Sequence, residues 1–166
     1  MVTIRKAIVA DIELLRSLAR EIWNECYPGI ISVEQISYML EMMYSHQVID
    51  REMSAGVHWH ILEDDAQPVG FIAFADDGKK GIKLNKLYVQ SGRHGKGLGQ
   101  KALNYVVEFA EQNGFQNVYL TVNKKNLRAM AAYERKGFVR SESIVSDIGN
   151  GYVMDDFVYR YQVVKN

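Results

Sequence analysis

The sequence predicts an α+β fold: a mixed, largely antiparallel sheet of about six to seven strands with helices on both faces. Three observations predict it. Apolar residues recur at helical spacing between residues 11 and 55, the pattern then changes to three strand-length segments joined by short turns, and from residue 99 helix-length and strand-length segments alternate.

Residues 3–7 read as a short opening strand. Asp11 stands as the N-cap of a helix that places Leu15, Leu18, Ile22 and Cys26 on one face and ends at Pro28-Gly29. Ser32 and Gln35 have the spacing of a capping box, so a second helix starts there and buries Ile36, Met39, Leu40 and Met43. A third short helix over residues 48–55 is closed by Gly56 in a left-handed position. Strands follow at 57–63, 69–75 and 82–89, separated by turns rich in aspartate and glycine. Residues 99–113 form a helix with Leu103, Val106, Val107 and Ala110 on its apolar face and Gly114 as its stop. A fifth strand at 117–122 precedes a helix at 126–136 closed by Gly137. Residues 138–147 and 154–163 then make a closing pair around Gly149-Asn150-Gly151.

With 166 residues, 48% of them hydrophobic, the chain supports one sizeable core, and a single domain over 1–166 is expected. Twenty basic residues balance twenty acidic ones, which removes the global charge excess that would draw the chain to nucleic acid or an anionic membrane. The amino terminus lacks the pattern of a signal peptide, and apolar runs such as residues 71–75 fall far short of the roughly 18 residues of a membrane span. Cys26 is the single cysteine, so an intrachain disulfide and a cysteine-rich metal site are excluded and a small buried apolar role is expected. A soluble, cytoplasmic protein fits these properties.

The chemistry concentrates in residues 87–100, a strand followed by a glycine-rich loop and a helix. Glycines let successive backbone N–H groups converge, and a helix N-terminus adds a partial positive charge of about half a unit, so the junction suits an anion. Arg93 and Lys96 add mobile positive charge. A P-loop is excluded because Leu98 and Gly99 stand where Lys and Ser or Thr are required. Residues 97–102 fit G-x-G-x-x-A, but these glycines come too late after the strand for a dinucleotide fold, and Asn123 and Lys124 stand where its ribose-binding acid belongs.

A third reading joins this loop to Asn126, Ala129, Tyr133, Glu134, Gly137 and Phe138. Together the two segments resemble the general-control-type N-acetyltransferase (GNAT) family, in which a strand ending Leu-Tyr-Val leads to Arg/Gln-x-x-Gly-x-Gly/Ala and later to Asn-x-x-Ala-x-x-x-Tyr-Glu-x-x-Gly-Phe. The resemblance runs from about residue 3 to 163, with the specific motifs at 84–100 and 122–138.

What it implies is a transferase moving the acetyl group of acetyl-CoA to a primary amine of a small molecule or peptide. The pyrophosphate of acetyl-CoA would sit on the amides of His94, Gly95, Lys96, Gly97, Leu98, Gly99 and Gln100. The pantetheine arm would run along Leu87, Tyr88 and Val89, with a backbone N–H aimed at the thioester carbonyl. Asn126 would hydrogen-bond the pantetheine or hold the splayed fifth strand, Ala129 belongs to the same motif, and Arg135 would reach the nucleotide phosphate. Tyr133 falls where the family protonates the departing thiolate; a thiol pKa of about 8.5 against about 10 for tyrosine makes that transfer accessible.

Two positions depart from the family pattern. His94 replaces the opening Arg or Gln, with Arg93 just before it. Asn85 stands where many members carry a glutamate base, and an amide cannot accept a proton, which leaves Glu25, Glu63, Asp155, a water chain or a neutral amine to serve. His58 and His60 share a strand face but have no third ligand in view, so no metal is expected. Met39, Met42 and Met43 read as core.

By the same resemblance, the segment from Trp23 to Gly56 shapes the acceptor site. Residues 27–40 are similar to a bacterial subgroup that includes spermine and spermidine acetyltransferases, where Glu21, Glu25, Glu34 and Glu41 would hold a polyamine cation. Amino acids, peptide N-termini and amine-bearing toxins are the other acceptors, and a homodimer is left open. The alternative class is a non-catalytic acyl-CoA-binding sensor, which would not need Tyr133.

Overall fold

The computed structural model describes residues 1–163, so the last three positions of the expected 1–166 domain lie outside the described residues. Its strands are β1 (Val2–Lys6), β2 (His58–Asp64), β3 (Gln67–Asp76), β4 (Gly81–Val89), β5 (Asn117–Asn123), β6 (Val139–Gly149) and β7 (Tyr152–Gln162). Its helices are α1 (Ile12–Cys26), α2 (Val33–Tyr44), α3 (His46–Ser54), α4 (Leu98–Gln112) and α5 (Leu127–Lys136). The seven strands form one mixed, mostly antiparallel sheet in the order β1-β2-β3-β4-β5-β7-β6. By its internal contacts the chain forms two compact units, Met1–Ala75 with Lys86–Ala102 and Asp76–Asn85 with the described residues from Leu103 onward.

In the first unit β1 pairs antiparallel with β2, and β2 with β3, a bulge between Leu62 and Glu63 shifting the second register. Helix α1 buries Ile12, Leu15, Leu18, Ala19, Ile22 and Trp23, the face its apolar spacing predicts. Cys26, at the end of that face, is half-buried instead of buried because α1 stops there. Asp11 precedes α1 without capping it. A 3-10 turn at Val9–Asp11 swings its carboxylate onto the Ile8 amide at 2.9 Å and the Arg5 guanidinium at 2.9 and 3.0 Å. The caps of the next two helices are made by side chains: Ser32 Oγ accepts the Gln35 amide, and Ser45 Oγ accepts the Val48 amide, which starts α3 two residues before its expected position. Met39 is buried but Met42 is 37% exposed, so the methionine cluster is only partly core.

In the second unit β4 and β5 are parallel, with a register of three positions, 81–83 against 117–119. β5 and β6 flank β7, both antiparallel to it. The β6–β7 hairpin closes through Asn150 and Gly151, both at positive φ (54° and 78°), the two-residue turn that suits the twist of paired strands. Ile82, Leu103, Val106, Val118, Leu120, Met130, Phe138 and Tyr159 are buried. No helix among the described residues is long and apolar enough to cross a membrane.

Candidate functional site

In the first unit β4 ends at Val89, a 3-10 turn covers Ser91–Arg93, and α4 begins at Leu98. Between them lie His94, Gly95, Lys96 and Gly97, with Gly95 and Gly97 at φ +83° and +76°. That backbone is left-handed, which a Cβ disfavours. A Cβ built on Gly95, Gly97 or Gly99 meets nothing within 4 Å, so the loop face is open. Lys101 N–H bonds back to Gly97 O at 3.0 Å as the first intrahelical link, so the opening amides of α4 point out of the helix toward that face. Gly95, Lys96 and Gly97 are exposed and Leu98 is 2% exposed, an apolar peg under the polar loop.

The segment leading into the loop is tied down on every side. Gln90 donates to Glu21 at 3.2 Å, Ser91 donates to Glu25 at 2.5 Å, and the Gln90 amide donates to Val69 O at 2.9 Å. Arg93 donates to Asp64 at 3.2 Å and Gln67 at 3.4 Å in the β2–β3 turn, so it is a strut and not the mobile charge the sequence suggests. His94 Nε2–H donates to Val89 O at 2.9 Å, fastening the first loop residue to the end of β4. The carbonyl can only accept, which fixes the proton on Nε2. Lys96 is the exposed cation of the loop itself.

Leu87 and Tyr88 are half-buried and Val89 is 7% exposed. Tyr88 joins an aromatic cluster whose members come from separate segments: its hydroxyl lies 3.0 Å from that of Tyr27, and its ring is 5.7 Å from Trp23 and 5.6 Å from Phe71. Trp23 donates to the buried Tyr44 hydroxyl at 3.2 Å. Lys86, 6% exposed, sets its ammonium 5.2 Å from the Tyr44 ring and 5.1 Å from the Trp59 ring. Gly70 is required beside this strand, because a Cβ there would stand 2.3 Å from Tyr88 O. Sequence reasoning missed Trp59, Tyr44, Lys86 and Gly70 at this place. Their association depends on strand register, which no local pattern carries.

The second unit holds the other motif. Asn126 Oδ1 accepts the Ala129 amide at 3.2 Å and so caps α5. Tyr133 is half-buried, with its ring 6.0 Å from Phe138 and 6.4 Å from Tyr159. The Tyr159 hydroxyl in turn donates to Glu134 at 3.0 Å and receives Arg140 at 3.2 Å. Arg135 is exposed, and Asn85 is half-buried in β4.

Of the suggested proton acceptors, Asp155 pairs with Lys124 at 2.7 Å, Glu63 with Arg5 at 3.2 Å, and Glu25 holds Ser91. Asp156, not singled out from the sequence, is 3% exposed, and burial pushes its carboxyl up to about 6, with the Asp155 charge adding to the rise and Lys124 opposing it. His58 and His60 stack on Phe74 at 5.0 and 5.6 Å, and burial pushes His60 down to about 4. Among the described residues no three His, Cys, Asp or Glu side chains group to hold a metal ion.

Comparison with known proteins bears on both motifs. The model of the acetyltransferase (GNAT) family matches residues 17–138. The spermidine N(1)-acetyltransferase of Thermoplasma acidophilum is 25% identical over 151 residues, 88% of this chain and 93% of that protein. Among solved structures, the PaiA N-acetyltransferase of T. acidophilum in complex with coenzyme A superposes with a TM-score of 0.83 at 24% identity, over 98% of this chain and 99% of that one. YncA of Salmonella typhimurium, solved with its cofactor acetyl-CoA, gives 0.65 at 18% identity over 99% and 95%.

Proposed function

The chain belongs to the acetyltransferase (GNAT) family and is an acetyl-CoA-dependent N-acetyltransferase, and from that premise we propose that it acts as one domain on a primary amine of a small molecule, first of all a polyamine. The observation that carries the cofactor reading is the open glycine loop at the start of α4. Its left-handed Gly95 and Gly97, the unobstructed space where their Cβ atoms would be, and the amides of the helix start fit a pyrophosphate, which needs several donors and room to approach them. Lys96 adds charge, while Arg93 and His94 hold the loop in shape.

On this reading acetyl-CoA supplies the activated acyl group, and the chain's own groups orient it. The loop residues His94 to Gln100 hold the pyrophosphate, the backbone of Leu87, Tyr88 and Val89 holds the pantetheine, and Arg135 approaches the nucleotide phosphate. Asn126, whose Oδ1 is taken by the Ala129 amide, offers its Nδ2 donor to the pantetheine. A backbone N–H of β4 polarises the thioester carbonyl, and the Tyr133 hydroxyl gives its proton to the leaving thiolate.

A polyamine acceptor is supported by the relative named for spermidine and by the carboxylates on α1. Glu21 and Glu25 both accept hydrogen bonds from uncharged partners, so their negative charge is not cancelled there. Thiol release from acetyl-CoA, followed with spermidine, spermine, amino acids, peptides and aminoglycosides, tests this. Spermidine or spermine is expected to give the highest kcat/KM. A preference for amino acids or peptides would overturn the polyamine assignment, and CoA binding with no amine-dependent release would favour the sensor reading.

A further inference from the structure

An amine of the alkylammonium type has a pKa of about 10 and cannot attack a thioester until it loses a proton. On the family pattern the β4 position for a base is held by Asn85, whose amide cannot accept a proton, and Asp155, Glu63 and Glu25 are each engaged by a partner.

We propose that Asp156 takes the proton from the acceptor amine, an inference that rests on the acetyl-transfer reading above. Asp156 is nine-tenths buried and more, and its Oδ1 has no hydrogen-bond partner among the described residues. A buried carboxylate oxygen without a donor is costly, and groups perturbed in this way cluster where chemistry needs them. Asp156 stands on β7 directly across from Asn123, the last residue of β5, and from Ile144 of β6. From Asn123 the chain turns through Asn126 into α5, so this carboxyl lies at the strand end that launches the helix bearing Tyr133.

Its charged surroundings are few. Asp155 precedes it, Lys124 follows Asn123 and is held by Asp155, and further along the same face Glu142 and Arg160 pair with each other at 3.5 Å. Burial therefore sets its basicity, and at neutral pH it is ionised and stronger as a base than an ordinary aspartate.

The step balances as follows. The Asp156 carboxylate removes one proton from the ammonium and becomes neutral; the freed nitrogen lone pair forms the C–N bond; the C–S bond breaks. The thiolate receives a proton from Tyr133, which regains one from the nitrogen as the amide forms, and Asp156 returns its proton to solvent.

The test is the pH dependence of kcat/KM for wild type and Asp156→Asn with the best acceptor amine. Wild type is expected to gain activity through an apparent pKa near 6. The asparagine variant should fall about 10²-fold or more at pH 7, lose that limb, recover toward pH 10 as the amine deprotonates unaided, and keep its KM for acetyl-CoA. Wild-type rates and the same limb in the variant would overturn the assignment while leaving the acetyl-transfer reading intact; absence of turnover by wild type with every amine would remove that reading itself. Should the variant not fold, the wild-type profile still decides, because a flat response between pH 5 and 7.5 excludes a base with this ionisation.

Discussion

The ring of Tyr133 packs near Phe138 and Tyr159, so a substitution that keeps the ring separates its packing from its chemistry. If the hydroxyl protonates the thiolate, Tyr133→Phe should lower kcat about 10²-fold with little change in CoA affinity or melting temperature. A loss of about 1–3 kcal/mol of stability with intact turnover would instead assign the hydroxyl to a buried partner. Asp156 gives a second residue-scale prediction. Its folded pKa of about 6 lies above the ordinary 3.8, so the native state holds the proton more tightly, and stability present below pH 3.8 is lost as pH rises through 6. His60 runs the other way: at about 4 against 6.5, its contribution is present above pH 6.5 and lost as pH falls through 4. Asp156→Asn should therefore melt several degrees above wild type at pH 7.5, by no more than about 3 kcal/mol, with the advantage gone at pH 4. Thermal melts at both pH values check it, and equal melting at pH 7.5 would contradict the buried-charge account.

At the scale of elements, the loop before α4 owes its shape to anchors outside it. Gly99 lies inside the first turn of α4 with open space where a Cβ would go, so Gly99→Asp should fold normally and yet lose CoA, because its carboxylate competes for the loop amides and repels phosphate. Unchanged CoA affinity with native circular dichroism would show that phosphate binds elsewhere. His94→Ala removes the fastening to Val89 O and should raise the KM for acetyl-CoA several-fold with kcat nearly unchanged; His94→Gln, which restores a side-chain donor, should recover part of it. Much of this element was legible in the sequence, because glycine spacing and helix periodicity are local properties. The anchors were not. Arg93 reads as free charge until the β2–β3 turn brings Asp64 beside it, and nothing local to Asp156 marks it as falling on the buried side of β7 with Val158. The expected cap at Asp11 failed for the same reason: Arg5 and a 3-10 turn competed for the carboxylate.

For the molecule as a whole, the seven-strand α+β architecture followed from segment lengths and turn residues, whereas the aromatic cluster around Tyr88 and Lys86 depended on a register joining distant segments. The claim on which the rest depends is that the glycine loop holds CoA. A ligand at about 100 times its dissociation constant adds roughly 2.7 kcal/mol to stability, so CoA should raise the melting temperature by several degrees, with ATP and NAD at equal concentration doing much less. Calorimetric titration of CoA into wild type and Gly99→Asp measures that claim most directly. Saturable one-to-one binding to wild type, lost in the folded variant, is expected; no binding to wild type, or equal affinity in both proteins, would show that the glycine loop does not hold CoA.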